Sequence, residues 1–357
     1  MTTYILTTNS YNYGSILQKY GLFSYIKNNI CNDVFIVNTK ILTDSDKIFS
    51  KTQEYSKLST RIYIKICNYI NNKRITKIKA FEMKHLKTID YDKFIRIVKK
   101  GDMIVVGSDQ VWNPDALYNV YTLDRPELRK IDKNVKKITY AVSMPKDKIN
   151  VDQQNYFKKI LPFFASISVR ENKAKELLSE LTTKKIEVSL DPTFLINNEE
   201  FNNFTKNIPQ EDEYILMYMV RPMPIVKKIS KIISKKTGLK VINLGNMNVI
   251  SKGIKNSNNS GVEEFVSLFK NAKYIITNSF HGTVFSIIFK KSFISVSLPY
   301  TGGRAKDLLS KLGLDNRLVK DESDCDKLFS PIDYDTVYDL VEKQRKLSKD
   351  YLKREMK

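Results

Sequence analysis

Short apolar runs alternate with longer segments in which apolar residues recur at helical spacing. The runs are rich in β-branched residues and stop at polar residues or glycine, as buried parallel strands do. We predict strands at 3–8, 34–37, 102–107, 137–143, 166–171, 186–190, 214–220, 240–244, 274–276 and 292–298. The periodicity predicts helices at 15–26, 172–181, 225–237, 262–271, 284–289, 305–312 and 337–356. This alternation predicts an α/β fold with parallel sheets.

The alternation is interrupted at 197–212, a polar stretch with a proline and few large aliphatic residues. Such a composition is typical of a domain boundary. We therefore predict two Rossmann-like α/β domains that face a cleft: an N-terminal domain over 1–204 and a C-terminal domain over 205–330. Residues 331–357 form a C-terminal helix in this interpretation, and 251–261 predict a flexible loop.

The formal net charge of +21 bears on partners more than on fold. It favours acidic partners: nucleic acid, anionic lipid or phosphorylated small molecules. The excess is concentrated, because residues 51–100 hold 14 Lys or Arg against four acidic residues, within a helical insert at about 45–100. A basic amphipathic helix either lies on an anionic membrane surface or is an ordinary surface helix of a lysine-rich protein. One face would carry Ile62, Tyr63, Ile66, Tyr69 and Ile70, flanked by Arg61, Lys65, Lys73 and Arg74.

Several classes of protein are disfavoured by the composition. No run of 18 uncharged apolar residues is present, so we expect no membrane-spanning helix. The N-terminal segment lacks a basic leader and a long apolar core, so we expect no signal peptide. The three cysteines (Cys31, Cys67 and Cys325) are scattered and odd in number, which favours a reducing cytoplasm over a disulfide framework or a zinc site.

The strand–turn–helix junction around His281 carries the strongest candidate chemistry. His281 is one of two histidines, and it follows the apolar run at 274–276 and the polar turn Thr277-Asn278-Ser279. In open α/β sheets ligands bind at such junctions, beside the exposed amides of a helix start. Histidine is suited to proton transfer there. The alternative is a histidine that only caps the helix or hydrogen-bonds within the turn.

Other predicted strands also end in polar residues. Asp109, Gln110 and Trp112 follow the strand at 102–107. The alternative is that Asp109 caps the next segment and Trp112 fills a gap. Arg170 ends another strand, where it suits a carboxylate or phosphate ligand or else pairs with Glu171 at the surface.

Several segments together resemble the polysaccharide pyruvyl transferase family. They occur in family order from about residue 4 to 317, outside the basic insert and the C-terminal helix. They are NYGSILQKYGL, VVGSDQVWNP, SVRENKAKELL, SLDPTFL, NAKYIITNSFHGTVFSIIF and GGRAKDLLSKLGL. TNSFHGT and GSDQVWNP are the most specific of these, whereas Asn-Tyr-Gly alone would not suffice.

The resemblance implies a fold, an activity and some residue roles. The fold would be similar to the glycosyltransferase type B architecture, and the activity would be pyruvyl transfer from phosphoenolpyruvate to sugar hydroxyls as a ketal. His281 would be the family's histidine, Arg170 its donor-binding arginine and Arg304 its second donor-binding cation. Many members carry Arg-Leu-His where this chain has Ser279-Phe280-His281, which leaves open which groups complete the phosphate site.

Further roles follow from the chemistry that such a donor needs. Phosphoenolpyruvate carries a carboxylate and a phosphate, which arginine binds bidentately. Two protons must move, so we expect a second catalytic group beside His281 and choose Asp109. Further donor contacts are expected from Asn278, Ser279 and Gly282, and acceptor or cleft contacts from Asn12, Tyr13, Gly14, Gln110 and Trp112.

The predicted partners follow from the same resemblance. We expect phosphoenolpyruvate as co-substrate on the C-terminal side, and a lipid-linked or nucleotide-linked sugar acceptor of capsule or cell-wall polysaccharide on the N-terminal side. No cofactor and no metal are expected, and no nucleic acid. The enzyme would be cytoplasmic, either free or peripheral on the inner face of the membrane.

Two alternatives stay open. A nucleotide-sugar-dependent glycosyltransferase has the same architecture, and fold does not fix function. A non-catalytic protein that binds nucleic acid or membrane through its charge would show steep salt dependence and no need for His281.

Overall fold

The computed structural model describes residues 1–39, 58–115, 120–208, 212–245, 251–297 and 303–357, and side chains only from residue 69 onward in the segment that begins at 58. The part of the basic insert at 45–57 therefore lies outside the described residues, as do the side chains predicted at Arg61, Ile62, Tyr63, Lys65 and Ile66.

Seven parallel strands build the first half of the chain. They are β1 (Thr3–Leu6), β2 (Val34–Asn38), β3 (Thr88–Asp90), β4 (Met103–Val106), β5 (Lys136–Thr139), β6 (Ile167–Val169) and β7 (Ile186–Val188). The first five form a sheet of order β3-β2-β1-β4-β5, and single bridges at Ile138–Ser166 and Val142–Val169 join the β6–β7 pair to it. The prediction for this half is correct except for β3, which lies inside the segment expected to be helical and pairs with β2.

Helices cover the first sheet. They are α1 (Tyr13–Asn29), α2 (Leu58–His85), α3 (Tyr91–Ile97), α4 (Pro126–Arg129), α5 (Val151–Ile160) and α6 (Asn172–Ser179). Along the described part of α2, Ile78 and Phe81 are buried and Tyr69 is exposed. Arg74 was expected to flank the helix in water, but it is buried with its guanidinium 5.8 Å from the Tyr13 ring centre. This end of the helix therefore packs on the protein core.

The second half repeats the plan. Its parallel sheet has the order β10-β9-β8-β11-β12-β13. The strands are β8 (Tyr214–Tyr218), β9 (Lys240–Asn243), β10 (Ile254–Asn256), β11 (Tyr274–Thr277), β12 (Ser292–Val296) and β13 (Leu318–Val319), and the helices are α8 (Pro224–Thr237), α9 (Val262–Asn271), α10 (Phe280–Ile288) and α11 (Gly303–Lys311). The loop expected at 251–261 contains the edge strand β10, which is a correction.

The polar stretch between the halves is structured. Residues Asn198–Thr205 form α7, which Asn197 begins through a capping box with Glu200. Phe201 packs edge-on against Phe289, with ring centres 5.1 Å apart. The predicted linker is thus in part an amphipathic helix, because its two phenylalanines recur at a spacing that puts both on the core.

The C-terminal helix α12 (Tyr334–Glu355) returns to the first half. Tyr351 donates a hydrogen bond to the backbone oxygen of Thr139 at 2.8 Å, and the Ser348 hydroxyl accepts one from the Leu190 amide at 2.9 Å. The helix therefore buries its apolar side against both halves. The domain bounds at 204 and 330 stay predictions.

Each sheet has a point at which the strand order reverses. In the first sheet it lies between β1 and β4, and in the second between β8 and β11. Ligands of open α/β sheets bind at the carboxyl ends of such strands. The segments at these carboxyl ends are residues 7–14 and 107–110 in the first half and residues 277–282 in the second, and they are where we expect a ligand. No helix among the described residues is both long enough and apolar enough to cross a membrane.

Candidate active site

His281 lies in the first turn of α10, directly after β11. The Ser279 hydroxyl caps the helix by accepting from the Gly282 amide at 3.2 Å. A side chain at Gly282 would not fit, because its Cβ would lie 2.2 Å from the Thr277 hydroxyl oxygen. The tight turn therefore holds the His281 side chain in place with only 10% of its surface exposed.

The start of α1 in the first half meets this histidine. Asn12 caps α1 by accepting from the Ser15 amide at 2.8 Å. A Cβ on Gly14 would lie 2.1 Å from Nδ1 of His281, so only glycine fits this close approach. The first amides of a helix lack intrahelical acceptors. His281 thus sits against a helix start that is suited to an anion.

Asp191 joins His281 to Arg170. Its Oδ2 lies 2.5 Å from Nη1 of Arg170 and 3.5 Å from Nε2 of His281, and the side chain is fully buried. Burial alone would raise the pKa of the Asp191 carboxyl, but His281 and Arg170 hold that pKa well below its ordinary value. Sequence reasoning missed this residue. The available signal was its position in Asp-Pro-Thr directly after a predicted strand.

Arg170 is buried between carboxylates. Besides Asp191 it contacts Glu171, whose Oε1 lies 3.2 Å from its Nε, and both side chains are under 7% exposed. The alternative of a surface pair with Glu171 is therefore wrong. Burial works to lower the pKa of Arg170, but Glu171, Asp191 and Asp109 raise it above its ordinary value. The guanidinium stays charged in this setting.

Two guanidinium groups lie near the ring of Phe280. Its ring centre lies 4.3 Å from the Arg170 guanidinium carbon and 5.5 Å from that of Arg304. Burial, with the nearby charge of Arg170, lowers the pKa of Arg304 to about 10. With its amide oxygen turned toward Arg304, Gln110 accepts from both terminal nitrogens at 2.9 and 3.0 Å. The structure thus brings together His281, Arg170, Arg304 and Gln110.

Two guanidinium nitrogens at this site have unused hydrogen-bonding capacity. Within the described part of the chain, buried Nη2 of Arg170 and buried Nε of Arg304 have no acceptor. A buried donor without a partner is costly, and such groups recur where a ligand completes the bonding. Two such N–H donors around one phenylalanine form a site suited to an anion with several oxygens.

Asp109 lies beside this cluster. It has a left-handed backbone with φ of 70°, and its carboxylate accepts from the Thr8 hydroxyl at 3.3 Å. Its charge contributes to the raised pKa of Arg170 and opposes the lowered pKa of Arg304. The predicted second catalytic group is therefore near the arginines, and its role as a base stays a prediction.

Other predicted contacts are used within the protein. Asn278 accepts from the Val220 amide at 3.0 Å and donates to the Arg221 carbonyl at 2.8 Å, so it holds the end of β8. The Gly282 amide is taken by the cap from Ser279. These three residues hold the turn through their own hydrogen bonds, and their contacts with the donor stay a prediction.

Two residues expected in the cleft are buried. Trp112 is 0% exposed, packs on Phe157 and Phe164, and donates to the Tyr121 carbonyl at 3.1 Å. Tyr13 is 2% exposed and donates to the Ser260 carbonyl at 2.7 Å. Both expectations are corrected. Burial of these large rings in the core stabilises the protein more than their exposure in a solvent-filled cleft would.

A separate cavity of about 680 Å³ lies between α2 and α7. Its wall includes Tyr20, Phe81, His85, Glu200 and Phe204, and none of the predicted site residues. His85 was expected at the surface but is half-buried, with its ring centre 4.4 Å from that of Phe81. Burial lowers the pKa of His85. This second histidine is thus a packing residue, remote from His281.

The described residues contain no group of three His, Cys, Asp or Glu side chains placed to hold a metal ion.

The fold defines the class of protein. Solved structures similar to the chain include trehalose-6-phosphate synthase OtsA, with a TM-score of 0.57, 9% identity and 99% of each chain covered. UDP-N-acetylglucosamine 2-epimerase of Rickettsia bellii matches with a TM-score of 0.50 and 10% identity, over 99% of this chain and 98% of its own. The corresponding enzyme of Neisseria meningitidis, bound to UDP-GlcNAc, matches with a TM-score of 0.50 and 9% identity, over 97% of this chain and 93% of its own. The architecture is the two-domain, Rossmann-like type B fold of glycosyltransferases.

The sequence then identifies the family. The model of the polysaccharide pyruvyl transferase family matches residues 12–299, which include α1, Arg170, Asp191 and His281. The chain belongs to this family, and it is a transferase of polysaccharide biosynthesis. A search of curated protein sequences returns no match.

Proposed function

We propose that the protein transfers a pyruvyl group from phosphoenolpyruvate to sugar hydroxyls, with formation of a ketal. The observation that carries this proposal is the pair of buried nitrogens with unused N–H donors, Nη2 of Arg170 and Nε of Arg304, on two guanidinium groups that both lie near the Phe280 ring. The family match supports pyruvyl transfer as the reaction.

The donor fits the charges of the site. Phosphoenolpyruvate presents a carboxylate and a phosphate, and each of these matches the planar fork of an arginine. We assign the two groups to Arg170 and Arg304, with the helix start at Gly14 as a further source of N–H donors. Gln110 orients Arg304 in this scheme, because its amide oxygen accepts from both terminal nitrogens.

The reaction moves two protons and breaks one C–O bond. The methylene carbon of the donor takes a proton, which leaves an oxocarbenium-like centre, and a sugar hydroxyl adds to that centre and gives up its proton. Phosphate then leaves with the C–O electron pair and takes up one proton, and a second hydroxyl closes the ketal and releases its proton. The two protons lost by the hydroxyls thus balance the one gained by the methylene carbon and the one gained by phosphate. His281 carries one of these protons and Asp109 is the candidate for another, a contribution of roughly 10²–10⁴-fold each.

The acceptor is a sugar of a surface polysaccharide, held on a lipid or nucleotide carrier. We place it on the first half of the cleft, near Asn12 and Gly14, which lie at the carboxyl edge of β1. The enzyme would work in the cytoplasm, as a free protein or at an anionic inner membrane surface through the basic segment that contains α2.

A nucleotide-sugar-dependent glycosyl transfer is the second candidate. The observation in its favour is the similarity to OtsA, although a likeness at 9% identity concerns the fold alone. The two candidates differ in donor. A glycosyltransferase would bind a nucleoside diphosphate in the cleft and would be indifferent to phosphoenolpyruvate.

Product analysis tests the proposal. The protein is incubated with phosphoenolpyruvate and a panel of sugar acceptors, and phosphate release is measured beside the mass of the product. We expect a product heavier by one pyruvate less one water, and a fall of about 10²–10⁴-fold in His281→Gln. His85→Gln is the matched control and should retain activity. Transfer of a hexose from a nucleotide sugar, with no pyruvylated product, would replace the proposal with the second candidate.

A further inference from the structure

We propose that Asp191 is the positioning residue of this site: its carboxylate holds the donor arginine and the catalytic histidine together and decides which imidazole nitrogen carries the proton. This inference rests on the proposed roles of Arg170 and His281 in pyruvyl transfer.

The two oxygens of Asp191 have separate tasks. Oδ1 accepts from the backbone amide of Thr193 at 3.0 Å and from its hydroxyl at 2.7 Å. Oδ2 faces Nη1 of Arg170 at 2.5 Å and Nε2 of His281 at 3.5 Å. Because the side chain is fully buried and anchored on Thr193, the direction of Oδ2 is fixed.

This arrangement specifies a tautomer. An ionised carboxylate only accepts hydrogen bonds, so the nitrogen that faces it must carry the proton. His281 therefore bears its proton on Nε2, and Nδ1 is left with a lone pair at the start of α1, beside Gly14. The separation of 3.5 Å is longer than a good hydrogen bond, and such contacts often tighten when substrate binds.

The other charged groups around His281 do not compete for this role. Arg170 and Arg304 lie near the ring of the adjacent Phe280, and both are donors. Glu171 is bound to Arg170, to the Ser143 hydroxyl at 2.6 Å and to the Met144 amide at 3.2 Å. Asp109 faces Thr8. Within the described chain, Asp191 is the one carboxylate paired with the His281 ring.

The contact between Asp191 and His281 also joins the two halves of the molecule. Asp191 and Arg170 belong to the first half, whereas His281 stands at the switch point of the second sheet. A carboxylate shared across the cleft therefore fixes the histidine relative to the donor site. Alignment of this kind matters, since a displacement of about 1 Å can cost roughly 10²-fold in rate.

The substitution Asp191→Asn tests this inference, because it should move the imidazole proton of His281 to the other nitrogen. The Thr193 amide requires an acceptor, so the asparagine oxygen takes the place of Oδ1 and the NH₂ group faces His281. Nε2 must then accept, and the proton moves to Nδ1. The matched control is Asp307→Asn, which removes a carboxylate that pairs with Lys311 at 2.6 Å, away from the His281 ring.

The readout is the ¹⁵N spectrum of histidine-labelled full-length protein at alkaline pH, in which the protonated and the unprotonated nitrogen of a neutral imidazole have separate chemical shifts. The chain has two histidines, and His281→Gln identifies the second signal. We expect Nε2–H in the wild type and in Asp307→Asn, and Nδ1–H in Asp191→Asn. We also expect transfer to fall by about 10⁴-fold in Asp191→Asn, the size of effect that a wrong tautomer has in a serine protease triad.

The outcomes separate this inference from the proposed function. Nδ1–H in the wild type, or Nε2–H in a folded Asp191→Asn, would overturn the positioning role whatever the reaction is. If the tautomers are as expected but the wild type transfers nothing from phosphoenolpyruvate, the positioning role of Asp191 is supported and phosphoenolpyruvate is rejected as the donor.

Discussion

Arg170 and His281 come from different halves of the chain and meet on the carboxylate of Asp191. Each follows a buried strand, so its position at a ligand edge was predictable from the sequence. Asp191 was not predicted, because an aspartate before Pro-Thr is an ordinary turn residue and its burial is a tertiary property. The role of Gly14 could not be predicted from the sequence either, because the need for glycine comes from the close approach of His281, which belongs to the other half.

Replacing Gly14 with alanine should destabilise the protein. Glycine to alanine normally stabilises a compatible position by about 0.4–1 kcal/mol. At Gly14 the new Cβ would lie 2.1 Å from Nδ1 of His281, so we expect a loss of about 1–3 kcal/mol in urea unfolding. Gly303→Ala is the control, because its Cβ would meet nothing closer than 3.8 Å, and it should be neutral or stabilising. Equal effects of the two changes would refute the close approach.

The single tryptophan should report a dry environment. Trp112 is fully buried and bonded to the Tyr121 carbonyl, so we expect blue-shifted fluorescence and weak quenching by acrylamide. Ligands should leave its emission nearly unchanged. Strong quenching, or a large change in emission on addition of phosphoenolpyruvate, would contradict the buried position and favour the cleft position that the sequence suggested for Trp112.

At the scale of elements, periodicity predicted most strands of both sheets and most of the longer helices. It failed for the short strands at sheet edges, β3, β10 and β13, and for the helix α5. It also failed for α7, whose polar composition concealed two phenylalanines on one face. Local pattern finds elements that carry their own apolar face. Edge strands depend on a neighbouring strand, which no local window contains.

The docking of α12 on the first half gives a prediction at this scale. Tyr351→Phe removes the hydrogen bond to the Thr139 carbonyl and leaves a buried acceptor, so the free energy of unfolding should fall by about 1–3 kcal/mol. Leu347→Ala on the same helix changes a side chain that is 52% exposed and should stay within about 0.5 kcal/mol. Urea unfolding measures both. A neutral Tyr351→Phe would mean that α12 is not docked there in solution.

At the scale of the whole molecule, the site draws on the strand-order switch point of each parallel sheet, in a chain with a large positive net charge. The net charge of +21 predicted an acidic ligand, but only the structure places buried N–H donors of Arg170 and Arg304 beside His281. Composition thus predicts the class of ligand, which stays a prediction, but not the number or direction of its contacts. Those depend on the packing of both arginines near the Phe280 ring.

The most direct measurement of the central claim is thermal stabilisation by phosphoenolpyruvate, compared with UDP and inorganic phosphate. At about 100 times its dissociation constant, a ligand adds about 2.7 kcal/mol, or a few degrees in melting temperature. We predict that shift with phosphoenolpyruvate in the wild type and in Arg129→Ala, a surface control, and its loss in Arg304→Ala and Arg170→Lys. Stabilisation by UDP and not by phosphoenolpyruvate would contradict the account and make a nucleotide-sugar donor the better reading of this cleft.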